Sequence, residues 1–136
     1  MSEARSNRIT EMGELQLEVF ERLAELGEGT VYDVLEAFPD GRRPKYTTAL
    51  TVLRALEEKG LATHRLDGRT YVFAPVVSAG EVRRQLLRAV MQRVFGGSPH
   101  RLMAALLDDE AVTPDVVAEL RAMLAEGAND DDDADR

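Results

Sequence analysis

From Glu14 onward apolar residues recur at helical spacing: Leu15, Val19, Phe20, Leu23 and Leu26 share one side, with glutamates between them. The pattern predicts a first helix that stops at Gly27 and Gly29. Thr30 then precedes VYDVLEAF, a second short helix offering Val31, Val34, Leu35 and Phe38 to a core. Pro39-Asp40-Gly41 is a turn signal. After the basic lead-in Arg42-Arg43-Pro44, a third helix is expected from about Tyr46 to Lys59, ended by Gly60, which tolerates the left-handed conformation needed there. The period then changes. Leu61–Leu66 and Thr70–Ala74 read as strands joined by Asp67-Gly68, a favoured hairpin turn. Three short helices followed by a hairpin with a basic tip is the order of a winged helix-turn-helix.

Three more helices are expected after Pro75. Ser78, with Glu81 three residues on, forms a capping-box signal. It opens a helix with Val82, Leu86, Leu87, Val90, Met91, Val94 and Phe95 on one stripe, ended by Gly96-Gly97. Ser98-Pro99 and Thr113-Pro114 each place an N-cap before a proline at the first helical position. They open helices carrying Leu102, Met103, Leu106 and Leu107, then Val116, Val117, Leu120, Met123 and Leu124. The predicted fold is mainly α with a small β-hairpin wing (α+β). The organisation read from the sequence is a flexible start at 1–10, a winged helix-turn-helix at 11–76, a helical dimerisation domain at 77–127 and a disordered acidic tail at 128–136.

The third helix has two unlike sides. At 100° per residue, Tyr46, Ala49, Leu50, Val52, Leu53 and Leu56 share a broad apolar side. Thr47, Thr48, Thr51, Ala55 and Glu58 share the other, with Arg54 on its edge. A small hydroxylic surface suits a helix lying in a major groove, where threonine methyls pack on thymine methyls and hydroxyls bond base edges or phosphates. Free N–H groups at the helix start can hold a phosphate. Arg42, Arg43 and Lys45 stand at the rim, and Arg65 and Arg69 at the hairpin tip, where backbone contacts fix register; with Tyr46, Thr47, Thr48, Thr51 and Arg54 they are the expected DNA-binding residues.

Charge distribution sharpens this picture. The formal net charge is −8, which by itself argues against nucleic acid. Yet residues 42–69 hold seven basic groups and three acidic ones, so the positive excess lies in one window, and that window overlaps the helix and hairpin just described. With a Debye length of about 8 Å at physiological salt, a phosphate senses the local patch more than the total.

The remaining composition mostly excludes. Without cysteine there is no disulfide, thiolate catalysis or zinc-thiolate site. His64 and His100 lie far apart with no ligand spacing around them, so no catalytic residue, metal or cofactor is expected. The N-terminal segment has no apolar signal-peptide core and no apolar run reaches membrane length; a soluble, cytoplasmic protein is expected, with no membrane partner.

Residues 78–126 form three amphipathic helices in about fifty residues, a size at which a lone core is marginal. The expectation is an isologous two-fold dimer through Leu86, Val90, Val94, Leu102, Leu106, Val117, Leu120 and Leu124. The other arrangement folds these helices back onto the winged domain.

The run from Tyr46 to Leu61, YTTALTVLRALEEKGL, resembles the recognition-helix signature of the penicillinase-repressor (BlaI/MecI) family. Gly68-Arg69 followed by Tyr71, Phe73 and Pro75 resembles its wing, and Phe95-Gly96-Gly97-Ser98 its hinge; the likeness spans roughly 11–126. The resemblance implies a repressor that binds a pseudo-palindromic operator as a homodimer, with Lys45, Thr47, Thr48, Thr51, Arg54 and Arg69 touching DNA. It also implies a possible partner in a regulatory protease. Here the chain departs from the family: where the best-known members are cut at an Asn-Phe bond, it has Ala104-Ala105-Leu106-Leu107. Nor does it have the C-terminal cysteines of copper-responsive relatives. Two other readings remain at this point: a winged helix that binds protein and not DNA, and a regulator sensing a small molecule near Phe73, Val77 and Leu86.

Overall fold

The structure, a computed structural model, describes Ile9 and residues 12–134, with side chains through Gly127. Helix α1 is Glu14–Leu26. The short α2, Val31–Glu36, is started by Thr30, whose Oγ1 accepts from the Asp33 N–H at 3.1 Å while the Asp33 carboxylate accepts from the Thr30 N–H at 2.9 Å. This closed capping box uses aspartate where glutamate or glutamine is usual, and it satisfies two N–H groups that a helix start leaves open. Helix α3 is Tyr46–Glu58. Strands β1 (Ala62–Asp67) and β2 (Thr70–Pro75) pair antiparallel from Ala62↔Pro75 to Asp67↔Thr70.

Because Asp67 pairs with Thr70, the two-residue loop is Gly68-Arg69, one position later than the sequence suggested. Gly68 takes φ +65° at the first loop position, where only glycine sits without strain. A second feature was not visible in the sequence. Gly29 and Phe73 form an isolated antiparallel bridge, so the loop between α1 and α2 adds a one-residue third strand to the hairpin. The backbone approach is close: a Cβ on Gly29 would lie 3.0 Å from the Asp33 Cβ.

The core draws one face from each element. Val19, Phe20 and Leu23 come from α1, Val31, Val34 and Leu35 from α2, and Ala49, Val52, Leu53 and Leu56 from α3, closed by Leu61, Ala62 and Phe73 of the wing root. Burial of this apolar surface is the main force holding the three helices and hairpin together. Three residues from outside the expected domain join it: Ile9, Val77 and Val82. Ile9, read as part of a flexible start, is 1% exposed; the rest of that start lies outside the described residues. Val82 is fully buried too, on helix α4 (Ala79–Phe95). The chain accordingly divides into two compact units at Val90/Met91, inside α4, and not at 76/77. The change of period at Pro75 marks the end of the hairpin but not of the core.

The second unit contains the end of α4, α5 (Pro99–Leu107) and α6 (Pro114–Ala134). Ser98 and Thr113 cap the two helices, accepting from the N–H groups of Arg101 at 3.2 Å and Val116 at 3.3 Å. Ser78 likewise accepts from Glu81 at 3.0 Å. The α6 backbone runs on to Ala134, past Ala128 where the sequence placed the start of the tail. No proline interrupts 128–134, and the intrinsic helix penalty of asparagine or aspartate is below about 1 kcal/mol per residue. Residues 135 and 136 of that tail lie outside the described residues. Among the described residues, no side chain after Val82 is buried, and no helix is long and apolar enough to cross a membrane.

Candidate nucleic-acid interface

Helix α3 is positioned by its apolar side, which leaves the opposite side outward. Ala49, Val52, Leu53 and Leu56 are buried, and Leu50 is half-buried. Thr47, Thr48, Thr51 and Arg54 are all exposed, as the helical spacing required. Tyr46 departs from that reading. It is 41% exposed, and its ring lies 5.0 Å from that of Tyr32 on α2. The tyrosine pair closes the angle between α2 and α3 at the surface.

The start of α3 is bare. Lys45 occupies the N-cap position and makes no side-chain capping bond. Lys45 and the first turn of α3 therefore present N–H groups and a cation toward solvent together, a combination that attracts phosphate. One of the three threonines has its proton committed: the Thr51 hydroxyl donates to the Thr47 carbonyl at 2.9 Å. Its lone pairs and methyl remain outward.

The basic residues separate into two groups. Arg42 pairs with Glu18 at 2.7 Å, Arg65 with Glu28 at 3.0 Å, and Arg43 reaches Asp40 at 3.9 Å. Lys59 is tied to Gln16 at 2.7 Å, which holds the end of α3 on α1. Lys45, Arg54 and Arg69 have no ion pair among the described residues. Arg54 and Arg69 line one cleft between α3 and the wing, with Tyr46, Tyr71 and Thr30. The fold thus brings residues fifteen positions apart to one opening.

The wing is fastened to α3 by His64, which bonds through Nδ1 to the Glu57 carboxylate. Its ring meets Tyr71 edge-on at 4.9 Å and Phe73 at 5.7 Å. His64, which has no ligand spacing around it in the sequence, thus bridges the wing and α3. Glu57 was the missed partner, because nothing in a strand-to-helix separation of seven residues signals a contact.

The other candidate residues are apolar positions along α4, α5 and α6. In the second unit Val94 is 67% exposed and Leu124 is 69% exposed, with Leu106 also open; Val90, the last residue of the first unit, is exposed too. Leu102, Val117 and Leu120 are half-buried. Leu86 packs against the core of the first unit, so it is already partly used there. Leu87, Met103, Leu107 and Met123, on the same helices, are exposed large apolar residues as well. Ala104-Ala105-Leu106-Leu107 is exposed and lies within α5. Phe73 and Val77 are core residues with Leu86 against the same cluster, which is what the region suggested for a small ligand contains.

Over residues 12–126 the sequence matches the penicillinase repressor family. The chain belongs to that family. Transcriptional regulator BlaI, from two strains of Mycobacterium tuberculosis, is 33% identical over 121 residues, spanning 88% of this chain and 86% of that protein. This penicillinase-repressor family member is therefore a transcriptional regulator and not an enzyme. Crystal structures of an organohalide-sensing transcriptional regulator, ligand-free and bound to 2,4-dichlorophenol, are each 18% identical. They cover 93% of this chain and 70% of theirs at a TM-score of 0.47, a likeness too distant to argue from. The winged-helix assignment stands on the three helices, the hairpin and the Gly29–Phe73 bridge.

Proposed function

We propose that this chain represses transcription by binding a pseudo-palindromic operator as a homodimer, each copy laying α3 in a major groove. The observation that carries the reading is the bare start of α3. Helix α3 begins uncapped at Lys45 and exposes Thr47, Thr48 and Thr51; Arg54 and Arg69 line one cleft between α3 and the wing; and Lys45, Arg54 and Arg69 have no ion pair among the described residues. Lys45 and the helix N–H groups suit the backbone, the threonines suit base edges, and Arg69 at the wing tip suits the adjacent backbone or minor groove. Arg43, Tyr46 and Arg65 form the rim.

Dimerisation is supported by what the second unit leaves open. Exposed leucines, valines and methionines on α4, α5 and α6 leave an apolar surface that an isologous partner would cover. Two-fold symmetry would set two recognition helices in successive major grooves, about 34 Å apart. The second half-site contact then becomes intramolecular, which compensates an overall acidic protein for weak contacts per copy. Helix α5 carries no Asn-Phe pair at 104–107, so release by a regulatory protease would need a different cleavage sequence.

The test is selection from random duplexes by the purified protein, with oligomer mass followed in parallel. An enriched inverted repeat bound by two chains supports the reading. A folded dimer that enriches nothing at low salt would point to a winged helix that binds protein.

A further inference from the structure

We propose that Arg42 is a positioning residue for the recognition helix and makes no phosphate contact. Resting on the DNA-binding reading above, this assigns the backbone contacts beside α3 to Lys45, Arg54 and Arg69. Glu18 on α1 faces the turn between α2 and α3, and its side chain is 19% exposed. Its Oε1 is wholly buried, and no hydrogen bond of good geometry reaches it. What compensates that oxygen is charge: Arg42 at 2.7 Å and Arg22 at 3.7 Å.

Arg22 cannot take over the whole task. Its guanidinium also reaches Glu25 at 3.4 Å and lies over the Phe38 ring, 5.6 Å from the centroid. If Arg42 swung away to a phosphate, a buried carboxylate oxygen would keep one distant, shared partner. Stranding a buried charge costs far more than breaking a pair on the surface. Arg65 and Glu28 are each more than half exposed, and Asp40 opposite Arg43 is fully exposed, so those arginines turn to solvent freely. Arg42 is the one cation of the rim whose partner oxygen, Glu18 Oε1, is shielded from solvent among the described residues.

The latch also sits where it can act on α3. The Arg42 N–H donates to the Pro39 carbonyl at 3.1 Å, closing the turn, and Lys45 begins the helix three residues later. Holding Arg42 on α1 therefore fixes where the bare end of α3 points. That predicts an effect on fit to the operator, with little effect on the number of phosphates neutralised.

The experiment compares wild type, Arg42→Gln, Arg42→Lys and Lys45→Gln. Binding to the selected operator and to a mixed-sequence duplex is measured across salt, and thermal melting is followed without DNA. Lys45→Gln should flatten the log–log salt slope by about 0.9 per half-site, or about 1.8 for a dimer. Arg42→Gln should leave the slope at the wild-type value, lower the melting temperature by several degrees and lower the operator-to-mixed-sequence affinity ratio by about tenfold. Arg42→Lys, which keeps a cation for Glu18, should restore most of both. Glu18→Gln combined with Arg42→Gln should melt above Arg42→Gln alone, because the uncompensated carboxylate charge is gone. A slope lost by Arg42→Gln as by Lys45→Gln, with melting unchanged, overturns the proposal; so do additive melting effects at 18 and 42. Wild-type binding with no salt dependence would sink the DNA reading instead, while the melting cycle still reports on the latch.

Discussion

Gly29 and Phe73 exchange both of their backbone hydrogen bonds, the Gly29 N–H donating to Phe73 at 2.9 Å and the Phe73 N–H to Gly29 at 2.8 Å. The bridge anchors the root of the wing to the loop before α2, while the Phe73 ring enters the core. The tip that carries Arg69 is thus cantilevered from a fixed base. Phe73→Ala removes the ring but not the backbone bridge. It should cost about 3–5 kcal/mol, a large part of the ~5–15 kcal/mol typical of a whole protein. Denaturant unfolding checks this. A loss below about 1 kcal/mol would mean the wing root contributes little to the core.

Thr51 tests whether α3 meets bases. Thr51→Glu sets a carboxylate on the outward side and should abolish operator binding while the dimer mass stays unchanged. Thr51→Val is the more informative partner, because the Thr51 proton is already committed to the Thr47 carbonyl. Valine keeps the methyl and discards that back-bond, so affinity should stay within about threefold of wild type. A large loss with valine would show that the hydroxyl itself is read by DNA. Unchanged binding by the glutamate variant would remove this side of α3 from the interface.

The helices were legible because their signals are local: apolar spacing, Ser98 and Thr113 before prolines, and glycines at helix ends. The exposed threonines followed from the same periodicity. What escaped the sequence was long-range. The Gly29–Phe73 bridge joins residues 44 apart, and one extended residue has no period to detect. Tyr46 shares the apolar side of α3 and is also a candidate DNA contact in the sequence; its ring partner, Tyr32 at the surface, is seen only in the fold. The ion pairs that divide the arginines, Arg42 with Glu18 and Arg65 with Glu28, need the fold before they can be seen. Net charge counting had weighted all seven cations of the window alike.

The wing turn gives a smaller, separable effect. Gly68 adopts φ +65° with open space around its missing Cβ. Gly68→Ala therefore meets no clash and carries only backbone strain, about 1 kcal/mol. The melting temperature should fall by about 2–8 °C. Operator affinity should fall further than stability predicts, because Arg69 is the next residue and shares the strained loop. Equal affinity at a temperature where both proteins are fully folded would take Arg69 out of the contact set.

The dimer reading is tested most directly on α6. Val116, Val117, Leu120 and Leu124 follow one helical stripe, and Leu124 is exposed in the single chain. In a two-fold interface Leu120→Asp enters twice, and each unpaired carboxylate forced into apolar surroundings costs at least about 3 kcal/mol. The dimer dissociation constant should rise more than 100-fold, read by sedimentation. The winged unit has its own core, so its melting should persist. Operator affinity should then fall toward that of one half-site, since the second contact is no longer intramolecular. A monomeric variant that still binds the full inverted repeat with wild-type affinity would refute the link between dimerisation and recognition. A variant that remains dimeric would move the interface to another stripe, where Val94 and Leu106 are the next positions to charge.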